Sequence, residues 1–315
     1  MQNERVLIVF AFIAIYFVWG STYLANYFAI ASIPPFLMSG SRFLTAGLLL
    51  YSYGRLRGNQ PPNWEEIKTG LISGFLLLSI GTGSIVYSEQ YIDTGLVALL
   101  VSFQPLIIVL MMWVWKKRRP GIRVIIGLIL GIVGMVLLIG QDQILDSEHS
   151  AVGLIAVFIA LLSWSIGVIL LNGWPRPASA NIHVGVQMIG AGFWLFIISG
   201  ITGDFRLFDW EKLTTKALLS WFYLVFFGSI IAFSAFNYLL KRIAPDKVAT
   251  SNYVNPVVAL LLGFFFNEES ISSQSIIAAV VLVTGVFFIN ANFKLKRPPL
   301  NQWNKITRGR FGGKP

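Results

Sequence analysis

The sequence predicts an all-α membrane protein of ten transmembrane helices, built as two inverted five-helix repeats. Three observations predict it. Apolar stretches of about 20 residues follow one another along the chain. Lys and Arg gather at alternate ends of those stretches. The second half matches the first at a constant offset of 151 residues.

Composition bounds the answer. The 315 residues are 56% hydrophobic and 12% charged, where a soluble domain carries about 25% charged residues. Most of the surface must therefore face lipid, and membrane lipids are the first expected partner. A formal charge of +10 would point to nucleic acid in a soluble chain. Here it reads as Lys and Arg at membrane edges, and no nucleic-acid partner is expected. Cysteine is absent, and the two histidines, His149 and His183, lie far apart in the chain. No HExxH, P-loop or GxSxG pattern occurs. No metal, cofactor or nucleotide-driven engine is expected.

The elements follow in order. Residues 6–30 form a stretch too long for a signal-peptide core, with no small-residue cleavage site behind it, and read as a retained helix. Pro34-Pro35 turns the chain into the second stretch, 36–54. A polar loop leads to the third, 69–88, and residues 89–93 connect it to the fourth, 94–115, which stops at Lys116-Lys117-Arg118-Arg119. Pro120-Gly121 opens the fifth, 122–140. After the acidic interruption 141–150 comes the sixth, 151–172. Pro175 and Pro177 precede the seventh, 182–202. The eighth is 217–240, the ninth 247–266 and the tenth 273–293. Residues 294–315 are expected to be a mobile, basic cytoplasmic tail. The repeats are thus 1–140 and 151–293. Trp210 and Trp303 read as interface anchors.

Orientation follows from the basic residues. Twenty of the 24 Lys and Arg fall on the side of both termini, three (Arg206, Lys212, Lys216) on the other, and Arg42 lies inside a stretch. Both termini are therefore expected in the cytoplasm, with the chain multi-pass in the cytoplasmic membrane. At the offset of 151, Phe75 meets Phe226, Tyr87 meets Tyr238, Val97-Ala98 meets Val248-Ala249, Pro105 meets Pro256, Leu110 meets Leu261 and Gly134 meets Gly285. Five is odd, so the halves enter the membrane from opposite sides. Inverted halves give inward- and outward-open states of similar energy, as alternating-access carriers require. Duplication that merely enlarged a bundle is the plainer alternative.

Polar side chains inside hydrocarbon are costly unless they face protein or a wet cavity, so they are the site candidates. Arg42 lies about 9 Å inside the outer end of its stretch at 1.5 Å per residue. It reads either as a binder of a substrate carboxylate or as a structural cation, with Glu89 the nearest acid by depth. Pro105 and Pro256 occupy matching depths and are expected to kink their helices. Around them lie Ser102, Gln104, Asn252, Tyr253 and Asn255, which either line a site or bond helix to helix. Trp19, Ser21, Thr22, Tyr23, Tyr87, Trp164, Ser165, Asn237 and Tyr238 are further candidates for the same substrate cavity. Glu89 and Asp93, near the outer rim, are the coupling or ion-pair candidates. Gly127, Gly131 and Gly134 follow small-residue spacing for close helix packing, within or between protomers, and leave the oligomeric state open.

Several of these residues carry a family resemblance. Trp19-Gly20-Ser21-Thr22, Pro34-Pro35-Phe36 with Ser41-Arg42-Phe43 and Ala46, and Glu89-Gln90-Tyr91 followed by Gly95 to Leu100 and Gln104-Pro105-Leu106 come from the first half. Tyr238-Leu239-Leu240, Ala244-Pro245, Ala249-Thr250-Ser251 and Val254-Asn255-Pro256-Val257 are their second-half versions, and Glu268 or Glu269 closes the ninth stretch. Over residues 6–293 the chain resembles the EamA family of the drug/metabolite transporter superfamily. The resemblance implies a central cavity between the halves and export or exchange of amino acids, other small metabolites or drugs. Arg42 has Phe193 as its second-half counterpart, so its role is not duplicated. The competing class is a membrane-embedded enzyme acting on lipids or lipid-linked intermediates. It would draw on Asp93, Asp142, Asp146, Glu148, His149, Glu268 and Glu269, which show no spacing of a known site.

Overall fold

The structure, a computed structural model, describes residues 2–116, 121–140, 149–171, 174–175, 177, 179–242, 248 and 251–290. Among the described residues every regular element is helical and no strand occurs. The long helices are α1 (Glu4–Ile30), α2 (Pro35–Leu56), α3 (Trp64–Ser88), α4 (Thr94–Val114), α5 (Ile122–Ile139), α6 (Ser150–Leu171), α7 (Ala180–Thr202), α8 (Thr215–Arg242), α9 (Ser251–Asn267) and α10 (Ser273–Asn290). Among the described residues seven, α1 and α3 to α8, are long and apolar enough to cross a membrane. Helix α2 is less apolar because it carries Arg42 and a run of small polar residues. The acids Asp142, Asp146 and Glu148, the basic tail with Trp303, and Ala244-Pro245 and Ala249-Thr250 of the second-half motifs lie outside the described residues.

Local chemistry sets the helix ends. Helix α3 begins five residues before its apolar stretch because Asn63 and Glu66 form a reciprocal capping box, Glu66 N to Asn63 Oδ1 at 3.0 Å and Asn63 N to Glu66 Oε2 at 2.9 Å. Thr214 caps α8 through Ala217 N, and Ser179 caps α7. Gly203, at φ +83°, ends α7 in the left-handed region. Pro35 starts α2, where its missing N–H costs nothing. The next two amides, Phe36 N and Leu37 N, donate to Asp204 Oδ2 from beyond α7, at 3.0 and 3.3 Å.

The helices pair closely. Helix α2 runs along α7 and α5 along α10, while α9 packs between α1 and α4, and α6 against α3. In α5, Ile125, Ile129, Ile132 and Val136 are exposed on one face, as a lipid-facing stripe requires. The glycines lie on the other. A Cβ on Gly285 of α10 would meet Gly127 O at 2.8 Å and Gly131 N at 2.9 Å. The small-residue spacing of α5 therefore serves packing inside the protomer.

Three helices carry π-helical stretches: Ala14–Val18 in α1, Phe75–Thr82 in α3 and Leu224–Phe233 in α8. Helix α4 is interrupted at Ser102-Phe103, just before Pro105. Pro105 thus stands in the first turn of a new helical segment, where a proline is tolerated, rather than inside a kinked one. Pro256 does lie within α9.

Candidate substrate cavity

Between these helices lies a cavity of about 300 Å³. Helix α1 gives it Trp19, Thr22, Tyr23 and Asn26, a stripe at i, i+3, i+4 and i+7 that shares one helix face. Helix α4 gives Pro105, Ile108, Val109 and Met112 at the same spacing, with Gln104 beside them. Helix α6 adds Trp164 and Val168, α8 Gly228, Phe233 and Phe236, and α9 Ser251, Asn252 and Asn255. Two of the three π-helical stretches line it, through Leu78 with Thr82 and through Gly228 with Phe233, and the third ends just before Trp19. Such stretches widen a helical turn and recur at functional sites.

One end of the cavity is polar. Arg42 is only 4% exposed. Its Nε donates to Ser229 Oγ at 2.8 Å and its Nη1 to Asn26 Oδ1 at 3.1 Å. Its guanidinium lies 4.9 Å from the Phe43 ring centroid. Among the described residues no carboxylate comes within ion-pair distance of it, so Glu89, the expected partner, is close but not bonded. A buried cation held by neutral acceptors keeps capacity for an anionic or strongly dipolar group. The middle is aromatic. Trp19 and Trp164 meet edge to face at 6.2 Å, and Phe236 lies 5.1 and 6.1 Å from them. From there the lining continues to Met112, Ile169, Leu240 and Val248, near the opposite helix ends.

Beyond Arg42 the cavity lining gives way to an aromatic cluster. Tyr87 stacks on Phe36 at 5.3 Å, contacts Tyr91 at 5.3 Å, and the two tyrosine hydroxyls bond at 3.0 Å.

The expected site residues divide into two groups. Trp19, Thr22, Arg42, Gln104, Trp164, Asn252 and Asn255 line the cavity, and so does Pro105. Ser21 does not: its hydroxyl bonds Val18 O and Tyr223 OH on the α8 side of α1. Tyr87 belongs to the aromatic cluster with Phe36 and Tyr91. Ser102 bonds back to Leu99 O at 2.6 Å, and Asn237 to Phe233 O at 3.0 Å, each buried in its own helix. Tyr238 packs toward α1 and carries Arg242 over its ring at 3.9 Å. The Tyr253 side chain lies outside the described residues. Asp93 is exposed at the start of α4. Asn26, Phe43 and Phe236 also line the cavity and Ser229 bonds Arg42; of these the sequence motifs include Phe43 alone, although Asn26 continues the Trp19–Thr22 stripe by one turn.

The amides that precede the prolines also bind helix to helix. Gln104 Nε2 donates to Leu161 O at 3.0 Å and Ser165 Oγ at 2.6 Å of α6. With its amide oriented to satisfy both ends, Asn255 Nδ2 donates to Ile15 O at 2.9 Å and Tyr16 O at 2.8 Å. Those carbonyls belong to the π-helical stretch of α1.

Fold and cavity define the class: a polytopic helical membrane protein with a solute-sized chamber among its helices. Residues 6–140 and 151–291 each match the model of the EamA-like transporter family, and the chain belongs to that family. It is 32% identical over 295 residues to the uncharacterized inner membrane transporter YedA of Escherichia coli K12, covering 92% of each chain. It is 26% identical to protein PecM of Dickeya dadantii, covering 86% of this chain and 88% of that one. It is 23% identical to the uncharacterized transporter YvbV of Bacillus subtilis, covering 94% and 95%. A solved crystal structure shares the fold, with a TM-score of 0.63 at 19% identity over 90% of this chain and 97% of that one. These likenesses agree with a membrane transporter and not with a lipid-modifying enzyme.

Proposed function

We propose that the protein is a secondary transporter that exports amino acids, other small metabolites or drugs across the cytoplasmic membrane by alternating access. The observation that carries this reading is the cavity itself, which takes its lining from α1 to α4 in one half and α6, α8 and α9 in the other. A chamber between two halves is where rocking of one half against the other changes access. The cavity runs from Arg42 toward the ends of α4, α6 and α8, the side to which the basic residues assign the cytoplasm. With the Phe36–Tyr87–Tyr91 seal on the far side, the conformation is inward-facing.

The ten-span, inverted-repeat arrangement is part of the same proposal. It is supported by a pair of matched bonds: Gln104 of α4 holds α6, and Asn255 of α9, at the offset of 151, holds α1. The experiment is flux in proteoliposomes. Purified protein is reconstituted with a labelled panel of amino acids, polyamines, nucleosides and cationic dyes, with and without a pH gradient. Movement of one class above empty vesicles, lost in Arg42→Ala, supports the carrier. Equal movement in both would refute the assigned site.

A further inference from the structure

Glu89 lies in the connection between α3 and α4 and is 2% exposed. Among the described residues neither of its carboxyl oxygens makes an ion pair or a hydrogen bond of full geometry, and the Asn26 amide is the one donor directed at it. An ionised carboxylate offers about four acceptor sites, and one buried with at most the Asn26 amide to meet them is not sustained: the group takes up a proton instead. Its surroundings are specific. Arg42 of α2, Asn26 and Tyr23 of α1, and Glu269 beyond α9 are the polar and titratable groups around it. Burial holds the Glu89 carboxyl well above the usual range, Asn26 and Arg42 act against that, and Glu269 adds to it. Arg42 and Asn26 line the cavity, whereas Glu89 does not. The acid therefore stands behind the polar end of the cavity, on the side of the Phe36–Tyr87–Tyr91 cluster, next to a cation that forms no ion pair among the described residues.

We propose that Glu89 is the proton-binding site of this carrier, loaded from the outer face and carried as a neutral carboxyl in the conformation seen here. The proposal rests on the transporter reading above. The chemistry is a single proton exchange. Outer water gives a proton to the Glu89 carboxylate when the outer half is open. After closure that proton leaves past Asn26 to water in the cavity, and the carboxylate left behind pairs with Arg42. Substrate release outward and proton release inward are then obligatory partners.

Two measurements test it. The first needs no substrate: infrared difference spectra of the purified protein titrated with alkali. The carbonyl stretch of a neutral carboxylic acid is expected at neutral pH, disappearing on titration, absent from Glu89→Gln and retained in Asp93→Asn. Spectra identical in the wild type and Glu89→Gln would overturn the proposal. The second uses the compound that the flux panel selects. Glu89→Gln is expected to lose accumulation driven by a pH gradient, down to empty vesicles, while keeping exchange of labelled for unlabelled compound at equal pH. Wild-type driven accumulation, or equal loss of both modes, would overturn it. A titrating Glu89 band in a protein that moves nothing from the panel would support the proton site and count against the carrier reading alone.

Discussion

Glu269 is bonded to Thr94 across the two halves: its Oε1 accepts from Thr94 Oγ1 at 2.7 Å and from Thr94 N at 3.1 Å. Its Oε2 accepts from Gly95 N at 3.1 Å, and Asn267 Nδ2 donates to Oε1 at 3.1 Å. The first amides of α4 have no partner within the helix, and the helix dipole favours an anion there. Glu268 turns the chain by adopting φ 53°, which delivers Glu269 to that end.

Removing this cap should destabilise the protein. Glu269→Ala leaves two buried amides and a hydroxyl without an acceptor, a loss of roughly 1–3 kcal/mol. Thermal unfolding in detergent should drop by several degrees (about 2–4 °C per kcal/mol at this size). An unchanged midpoint would mean that the bond carries no stability.

Gly263→Ala should act through the same carboxylate. A Cβ on Gly263 would collide with the Glu269 carboxyl group, so the alanine would displace it from α4. The double variant with Glu269→Ala should then be no worse than either single one, a coupling of about 0.5–3 kcal/mol. Additive losses would place the glycine's role elsewhere.

Arg42→Ala should abolish flux, and Arg42→Lys should rescue it poorly. The guanidinium holds Ser229 and Asn26 with separate nitrogens, a fork that a single ammonium does not reproduce. Ser229→Ala, which removes one neutral acceptor, should have the smaller effect. Wild-type flux in a well-expressed Arg42→Ala protein would refute this.

Asn255→Ala should loosen α1. It removes the donor to Ile15 O and Tyr16 O, a loss of roughly 0.5–1.5 kcal/mol per bond. Faster hydrogen exchange in residues 14–18 than in the wild type is the expected readout. Unchanged exchange would show that the π-helical stretch holds itself.

Trp164→Phe should retain flux while Trp164→Ala loses most of it, because the ring completes the wall with Trp19 and Phe236 and aromatic contacts contribute about 0.5–1.5 kcal/mol each beyond burial. Full flux with alanine would take the substrate away from this wall.

The sequence by itself determined the class of solvent and the dangerous residues. Hydrocarbon admits only long apolar helices and penalises every stray charge, so the apolar stretches, the basic asymmetry and the isolated Arg42 were legible without coordinates. Tertiary structure decided which polar side chains share the chamber. Neighbouring residues on a helix point about 100° apart, so Thr22 enters the cavity while Ser21 bonds Tyr223. That choice depends on the phase of each helix, and the π-helical stretches in α1, α3 and α8 shift the phase partway along. Glu89 shows the same division. Its charge and depth were written in the sequence, but its burial beside Arg42 and Asn26 without an ion pair among the described residues exists only because α1, α2 and the Glu269 turn close around it.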